Sequence, residues 1–463
     1  MNKRISRRDL LRAAGTSGLA AGLGSLGAGG AARADPAGAR AGGGVSAESA
    51  LGTRLGLQGG TPNPTAASVI DGRVIQPRRE LPVLQKTDVL VVGGGPGGVA
   101  AAIAARRAGA DVTLVERYGH FGGLWTGGLV LLVIGHWVTG KRQVCQGIGE
   151  EMMRRLEKID GGIIDRRPGV NPTVDAEALK YLMVEMILEA NVRVLLHCWG
   201  VDAVMEGDRI CGAVFESKSG RQAILAKVVV DATGDGDLFA AAGAEYEHRK
   251  YRIGLVHRLG NLDKVDAAKA GRDPKPKDLG LPTPVPGVHW VNLQGPDADG
   301  VDVAELTRLE LNHRRHIWRS VEKLRHTPGY EKVYLLETAP QLGVRITRVL
   351  RGTHTVTRKD LSAGTEFPDV VAVGGSENGQ HGPWQVPYGA LLPVKLDGLL
   401  AAGRCISAEA KMADLVRLIP NCFATGHAAG AAAAVAVQDR CRPRDVDVSK
   451  VQKLLRQQEA YLG

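Results

Sequence analysis

Apolar positions are distributed unevenly along the chain, and the pattern changes at Thr87. Asp88-Val89-Leu90-Val91-Val92 is an apolar run without polar alternation, which suits a strand buried on both faces of a parallel sheet. GGGPGGVAAAIAARRAGA follows, and then Asp111-Val112-Thr113-Leu114-Val115-Glu116. This order predicts strand, glycine turn, helix, strand. Val228-Val229-Val230-Asp231-Ala232-Thr233-Gly234 and Gly398-Leu399-Leu400-Ala401-Ala402-Gly403 are two further strands that run into glycine turns. Ala424-Thr425-Gly426-His427-Ala428-Ala429-Gly430 opens a helix of small residues.

Other stretches follow different rules. Between Asn191 and Val230 short strands alternate with turns, one at Glu206-Gly207-Asp208. Residues 246–385 break the pattern with a Pro-rich stretch at Pro274–Pro286, a long polar helix near Val303–Lys323 and a short apolar run at Val333–Leu336. Val451, Leu454, Leu455 and Tyr461 recur at roughly helical spacing and predict a packing helix. The expected organisation is a segment 1–34, a flexible linker 35–85, a first dinucleotide-binding part 86–245, an inserted substrate or cap lobe 246–385, a return segment 386–440 and a C-terminal helix 441–463. The fold class is α/β, a Rossmann-type domain carrying an inserted lobe.

Charge changes the reading of the N-terminus. The chain has a formal net charge of +10 over 463 residues. Six cations in residues 1–34 (Lys3, Arg4, Arg7, Arg8, Arg12, Arg33) stand against Asp9, so this segment holds half of that charge. The remainder lacks a clustered basic surface, and no nucleic-acid partner is expected. Ser6-Arg7-Arg8-Asp9-Leu10-Leu11, a mildly apolar Ala/Gly/Leu run and Ala32-Arg33-Ala34 resemble a twin-arginine export signal. An exported protein, periplasmic or extracellular, is expected, with no retained membrane span. The six cysteines form no CxxC pair, so metal-ligand spacing is absent.

Gly93, Gly95 and Gly98 satisfy GxGxxG between a strand and a helix. The first allows the tight turn, the second admits a pyrophosphate close to the backbone, and the third lets helix and strand approach. Glu116 ends the second strand, where an acid can take ribose hydroxyls. Its removal is expected to weaken dinucleotide binding and spare the apo fold. FAD is favoured over NAD by Tyr118-Gly119-His120-Phe121-Gly122-Gly123-Leu124-Trp125-Thr126, a glycine turn that lets the chain pass along a longer, flavin-bearing ligand. A second GxGxxG is absent, so no NAD(P)H lobe is expected.

The ordered set GGGPGG…ERYGHFGG, DATGDGD, VPYGALLP, GLLAAGRCIS and RLIPNCFATGHAAG, from about Lys86 to the C-terminus, resembles the FAD-dependent oxidoreductases related to the succinate dehydrogenase and fumarate reductase flavoproteins. The resemblance implies that Gly93, Gly95, Gly98, Glu116, Arg117, Gly122, Gly123, Thr126, Thr233, Gly234, Gly403, Arg404 and Gly426 line FAD. Phe121 and Trp125 depart from the aliphatic or methionine-containing turn of that family. Related flavoproteins sometimes link FAD through histidine, which draws attention to His120.

Flavin redox chemistry needs a proton-transfer group and an anchor beside the ring. His381, in the loop Asn378–Trp384, is the first expectation for proton transfer, since histidine titrates near neutral pH. Its position also resembles that of a flavin-proximal histidine in the family. Arg417 is expected to anchor a carboxylate or polarise a carbonyl, or else to pair with Glu409 or Asp414. Trp384 and Tyr388 are candidate pocket walls, and His136 a candidate flavin neighbour. Arg345 and Arg348 match family arginines loosely. The expected activity is oxidation or reduction of a small organic molecule, with electrons passing to or from oxygen, a quinone or a redox protein. Alternatives are a fumarate-reductase-like enzyme fed by a cytochrome, although the chain has no CxxCH motif of its own, and a non-redox FAD-binding partner in a secreted complex.

Overall fold

Val83–Val92 (β1), Pro96–Arg107 (α1) and Val112–Val115 (β2) form the first strand–turn–helix–strand unit of the computed structural model, which describes residues 67–270, 279–376 and 381–463. Val89, Leu90 and Val91 have no exposed surface, as continuous apolar runs require when both sheet faces are covered. In α1 every residue from Gly97 to Ala105 is buried, and Pro96 at its start supplies a φ already suited to a helix. The chain continues through Ala176–Glu189 (α2), whose N-cap Asp175 accepts the Glu177 and Ala178 amides. It then forms Arg193–Leu195 (β3), Trp199–Glu206 (β4), Arg209–Ser217 (β5) and Gly220–Asp231 (β6). The sheet order is β4-β5-β6-β1-β2-β3. β4, β5 and β6 are an antiparallel meander, whereas β6, β1, β2 and β3 run parallel.

A second sheet stands on Tyr251–Gly260 (β7), which pairs antiparallel with His289–Leu293 (β8) and Tyr334–Thr338 (β9). Val303–Arg325 (α3) packs on it. Asp302 caps α3, and Leu309, His313, Ile317 and Val321 recur every fourth position as its buried stripe. The chain returns to the first sheet at Leu399–Ala401 (β10), parallel to the end of β6. Ile419–Asp439 (α4) then packs along α1, and Val448–Gln457 (α5) closes against α4. The antiparallel pair Val370–Gly374 and Trp384–Pro387 lies against α4.

The junction of α1 and α4 depends on glycine. A Cβ at Gly426 would lie 2.0 Å from the Gly97 carbonyl oxygen, and one at Gly430 would lie 2.1 Å from that of Ala101. Interaxial distance between helices follows the side chains at the contact, and here the two backbones touch.

Residues 68–75, expected to be linker, form a short exposed hairpin. The segment expected to be an export signal, most of the expected linker and the start of the Pro-rich stretch lie outside the described residues. Among the described residues no helix is long and apolar enough to cross a membrane, and the six cysteines are free.

Candidate functional site

The glycine turn assigns a separate task to each glycine. Gly93 has φ +103°, and a Cβ there would meet the Ala232 oxygen at 2.4 Å. A Cβ on Gly98 would sit 1.7 Å from the Gly93 oxygen. At Gly95 nothing of the protein lies within 4 Å of the added atom, so this backbone faces open space. That space belongs to a cavity of about 610 Å³, within the range of ligand and cofactor sites. Pro96 and Gly97 at the start of α1, and Ile419 at the start of α4, line it. Two helix N-termini with their partial positive charge therefore border the cavity.

Of the expected FAD residues, Gly93, Gly95, Glu116, Arg117, Gly123, Thr233, Gly234, Gly403 and Arg404 line the cavity. Gly98, Gly122, Thr126 and Gly426 are not among the lining residues. Gly98 and Gly426 are contact points between backbones. Thr126 is fully buried and donates to the Phe121 oxygen at 2.5 Å, and a Cβ on Gly122, whose φ is +102°, would collide with it. These two residues shape the second turn from behind. His120 stacks on Tyr118 with ring centroids 5.7 Å apart and also lies outside the lining.

Glu116 does more than meet a ligand. Its Oε2 accepts the Gly94 amide at 2.5 Å and its Oε1 the Tyr118 amide at 2.8 Å. The residue is 6% exposed, so this carboxylate ties the glycine turn to the strand end. These two bonds give Glu116 a part in the apo fold that the sequence reading did not assign to it. Nearby, the Arg117 guanidinium lies over the Tyr118 and Trp199 rings, 4.8 and 5.6 Å from their centroids.

The DATGDGD segment is organised by two aspartates that sequence reasoning did not single out. Asp231 is fully buried and accepts from Thr233 Oγ1 and from the Thr233, Leu238 and Phe239 amides. Burial pushes its pKa up, and these bonds pull it back. Asp235 accepts from Arg404 Nη2 at 2.8 Å and from Thr347 Oγ1 at 2.8 Å. Burial raises the Asp235 pKa, but Arg404 and the Thr347 bond outweigh it and hold it below the usual range. A Cβ on Gly234 would meet Arg404 Nη1 at 2.5 Å, so the glycine leaves room for the guanidinium.

The candidate catalytic residues divide. Arg417 lines the cavity and is also paired with Asp414, through Nε at 3.1 Å. His381, Trp384, Tyr388 and His136 are outside the lining, for identifiable reasons. His381 Nε2 is bonded by Arg358 at 2.9 Å, and its carbonyl accepts the Thr139 amide; Asn378–Gln380 of its loop lie outside the described residues. Trp384 is buried with Nε1 on the Gly375 carbonyl, and Tyr388 is buried with its hydroxyl on the Pro443 carbonyl. His136 has no exposed surface. Its Nε2 approaches Glu150 to 3.7 Å, but desolvation dominates and, with Arg166 adding to it, depresses its pKa to about 4, so the ring is neutral. Burial likewise pushes the Cys422 thiol, in the lining, up to about 12.

On the other side the cavity is walled by the cap sheet. Arg252, Gly254 and Val256 alternate along β7, and Trp290 and Asn292 along β8, so that one face of the antiparallel pair is turned to the cavity. Gln341, Leu342 and Arg345 complete this wall. The period-2 alternation at 252–256 and 290–294 was the available sequence signal, obscured by its mixture of charged, small and apolar types. Trp125 Nε1, Trp290 Nε1, Gln341 Nε2 and Arg404 Nε are buried on lining residues without an acceptor among the described residues. All four are donors, and buried donors without partners are costly. Such a lining fits a ligand rich in acceptors, as the diphosphate and ring carbonyls of FAD are.

A parallel sheet with a glycine turn, an acid at the next strand end and an acceptor-seeking cavity under a cap define a flavoprotein of the dinucleotide-binding class. The family model for FAD dependent oxidoreductase matches residues 88–455, and the chain belongs to that family; it is an enzyme with FAD as cofactor. Partial similarity reaches digeranylgeranylglycerophospholipid reductase 2 of Methanopyrus kandleri, 29% identical over 147 residues, covering 32% of this chain and 37% of the relative. Thiamine thiazole synthase of Methanococcus vannielii is 30% identical over 164 residues, covering 33% of this chain and 57% of the relative. The match thus spans little more than half of these relatives at most. Among solved structures, a geranylgeranyl bacteriochlorophyll reductase-like protein from Thermoplasma acidophilum aligns over 81% of this chain and 84% of its own, with 16% identity and a TM-score of 0.44.

Proposed function

We propose that the chain oxidises or reduces a small organic molecule held between the FAD-binding turns and the cap sheet. In this reading electrons pass to or from oxygen, a quinone or a redox protein rather than NAD(P)H. The observation that carries it is one cavity lined on one side by Gly95, Thr233 and Arg404 and on the other by Arg252, Val256, Trp290 and Arg345. The absence of a second GxGxxG supports an acceptor other than a nicotinamide. Action outside the cytoplasm after twin-arginine export, and kinship with the succinate dehydrogenase and fumarate reductase flavoproteins, belong to the same reading and rest on the sequence motifs.

Bound FAD supplies two-electron redox chemistry. The chain's own residues hold and orient. Gly95 gives the diphosphate close backbone approach, Glu116 meets the ribose, and the cap sheet excludes water from the reacting partner. Glu310 is the lining carboxylate on the cap side, paired with Arg314 at 2.8 Å, whereas His381 lies outside the lining.

The test is anaerobic. FAD-loaded protein is mixed with panels of small organic molecules while flavin absorbance is followed. Bleaching by one of them, reversal by oxygen or a soluble quinone, and no bleaching by NADH or NADPH are expected. Rapid bleaching by a nicotinamide would overturn the acceptor assignment, and a flavin that nothing cycles would favour a non-redox role.

A further inference from the structure

Three guanidiniums border the cap side of the cavity: Arg252 on β7, Arg345 beyond Val344, and Arg417 just before α4. They come from separate stretches of chain and interact electrostatically. Asp414 acts on both Arg252 and Arg345, and Asp297 adds to its effect at Arg252. Asp414 accepts from Arg417 and, at 2.7 Å, from the Tyr251 hydroxyl. Arg345 donates to the Arg252 carbonyl at 2.9 Å and reaches Asn292 Oδ1 at 3.5 Å. Arg252 donates to Gln294 Oε1 at 3.0 Å. Among the described residues neither Arg252 nor Arg345 has a carboxylate within 4.0 Å.

An uncompensated, partly desolvated cation is costly. Burial depresses the pKa of Arg345, and Arg417 and Arg252 depress it further. Neutral oxygens hold Arg345, which is half-buried, and Arg252, which is exposed, without neutralising them, whereas Arg417 is paired with Asp414. Beside them the lining turns apolar, at Val256, Trp290, Leu306 and Leu342.

We propose that Arg345, with Arg252 and Arg417, seats the anionic end of the substrate, a carboxylate, and that the molecule's apolar body lies along Val256, Trp290 and Leu306. The substrate class is then an organic acid with one anionic end and a hydrophobic remainder. A guanidinium offers paired donors to a carboxylate, which fixes orientation as well as charge. This rests on the redox reading only for the word substrate, since binding is tested without turnover.

The experiment is calorimetric titration of the FAD-loaded protein with phenylacetate, with its uncharged counterpart phenylacetamide, and with phenyl phosphate. Phenylacetate should bind at least about tenfold more tightly than the amide, and added salt should weaken it. Arg345→Gln should weaken phenylacetate by about tenfold to a hundredfold and leave the amide unchanged. Arg345→Lys should recover part of the loss, and FAD content should be the same in all three proteins. Equal affinity for acid and amide, or an Arg345→Gln variant that binds phenylacetate as the parent does, would overturn the assignment. Binding of phenyl phosphate alone would overturn the choice of carboxylate. Repeating the titration on FAD-free protein separates the two readings: loss of flavin bears on the cofactor, whereas the heat of anion binding bears on the arginines.

Discussion

At Glu116 a single carboxylate serves fold and ligand together. Its two oxygens hold the Gly94 and Tyr118 amides, and each buried amide left without a partner costs about 1–3 kcal/mol. Glu116→Ala should therefore lower the melting temperature of FAD-free protein as well as FAD retention. Glu116→Gln keeps one acceptor but turns an NH₂ toward the other amide, and should fall between. A melting curve of the apo variants beside their flavin content checks this; an unchanged apo midpoint in the Ala variant would rule out the tethering role. Buried histidines carry a second residue-scale consequence. His136, His257 and His427 are each depressed to about 4, with desolvation the largest cause. Their folded values lie below the unfolded 6.5, so the stability they contribute is complete above about pH 6.5 and is lost as pH falls toward 4. About 2.5 units at about 1.4 kcal/mol per unit is on the order of 3 kcal/mol each. Denaturant midpoints between pH 7 and 4.5 should fall steeply, and His136→Leu should flatten that slope by removing a titrating ring; among the described residues its nitrogens have no hydrogen-bond partner to lose. An identical slope in the variant would count against a neutral His136.

Between elements, the glycines sort into those that face a ligand and those that face another backbone. Gly95 has φ −70° and open space where a side chain would stand. Gly95→Ala should leave apo stability almost unchanged and sharply reduce FAD binding, since the methyl enters the ligand's space. Gly430→Ala should do the reverse first: its methyl would lie 2.1 Å from the Ala101 oxygen, and overpacking of this kind costs about 1–3 kcal/mol. Thermal unfolding of both apo variants, alongside FAD titration, distinguishes the two classes; equal apo destabilisation would contradict it. This division also explains what was legible. The turn, β1, α1 and α4 could be read because apolar runs and small residues are dictated by backbone contacts close in sequence. Gly93 and Gly95, singled out by GxGxxG spacing, and Glu116, singled out by the strand end, all line the cavity. The cap wall could not be read. Arg252, Gly254 and Val256 share a face by the strand's two-residue period, but that face becomes a wall only where β7 pairs with β8, further along the chain, and nothing in their own types reveals the pairing. The segment holding His381 and Trp384 has a polar and aromatic composition that suggests chemistry, yet Trp384 begins a strand and the two side chains are engaged by Arg358 and the Gly375 carbonyl.

For the molecule as a whole, the lobe built on β7 stands between two stretches that together make the dinucleotide-binding sheet, so β6 pairs with β10 across the entire insertion. The same is true of the helices. Gln438 donates to the Ala108 carbonyl over a sequence separation of 330 residues, and Gln458 to that of Ala104 over 354. The interlocked α1 and α4 backbones therefore have a consequence in time. Translation proceeds at about 5–20 residues per second, so α1 leaves the ribosome roughly 15–65 s before the helix that covers it exists. During that interval the Ala-rich flank of α1 and the strands beneath it have no native cover. The nucleotide turn, though encoded early, becomes a finished binding site only once α4 has been made, which places capture of the flavin after that point in synthesis.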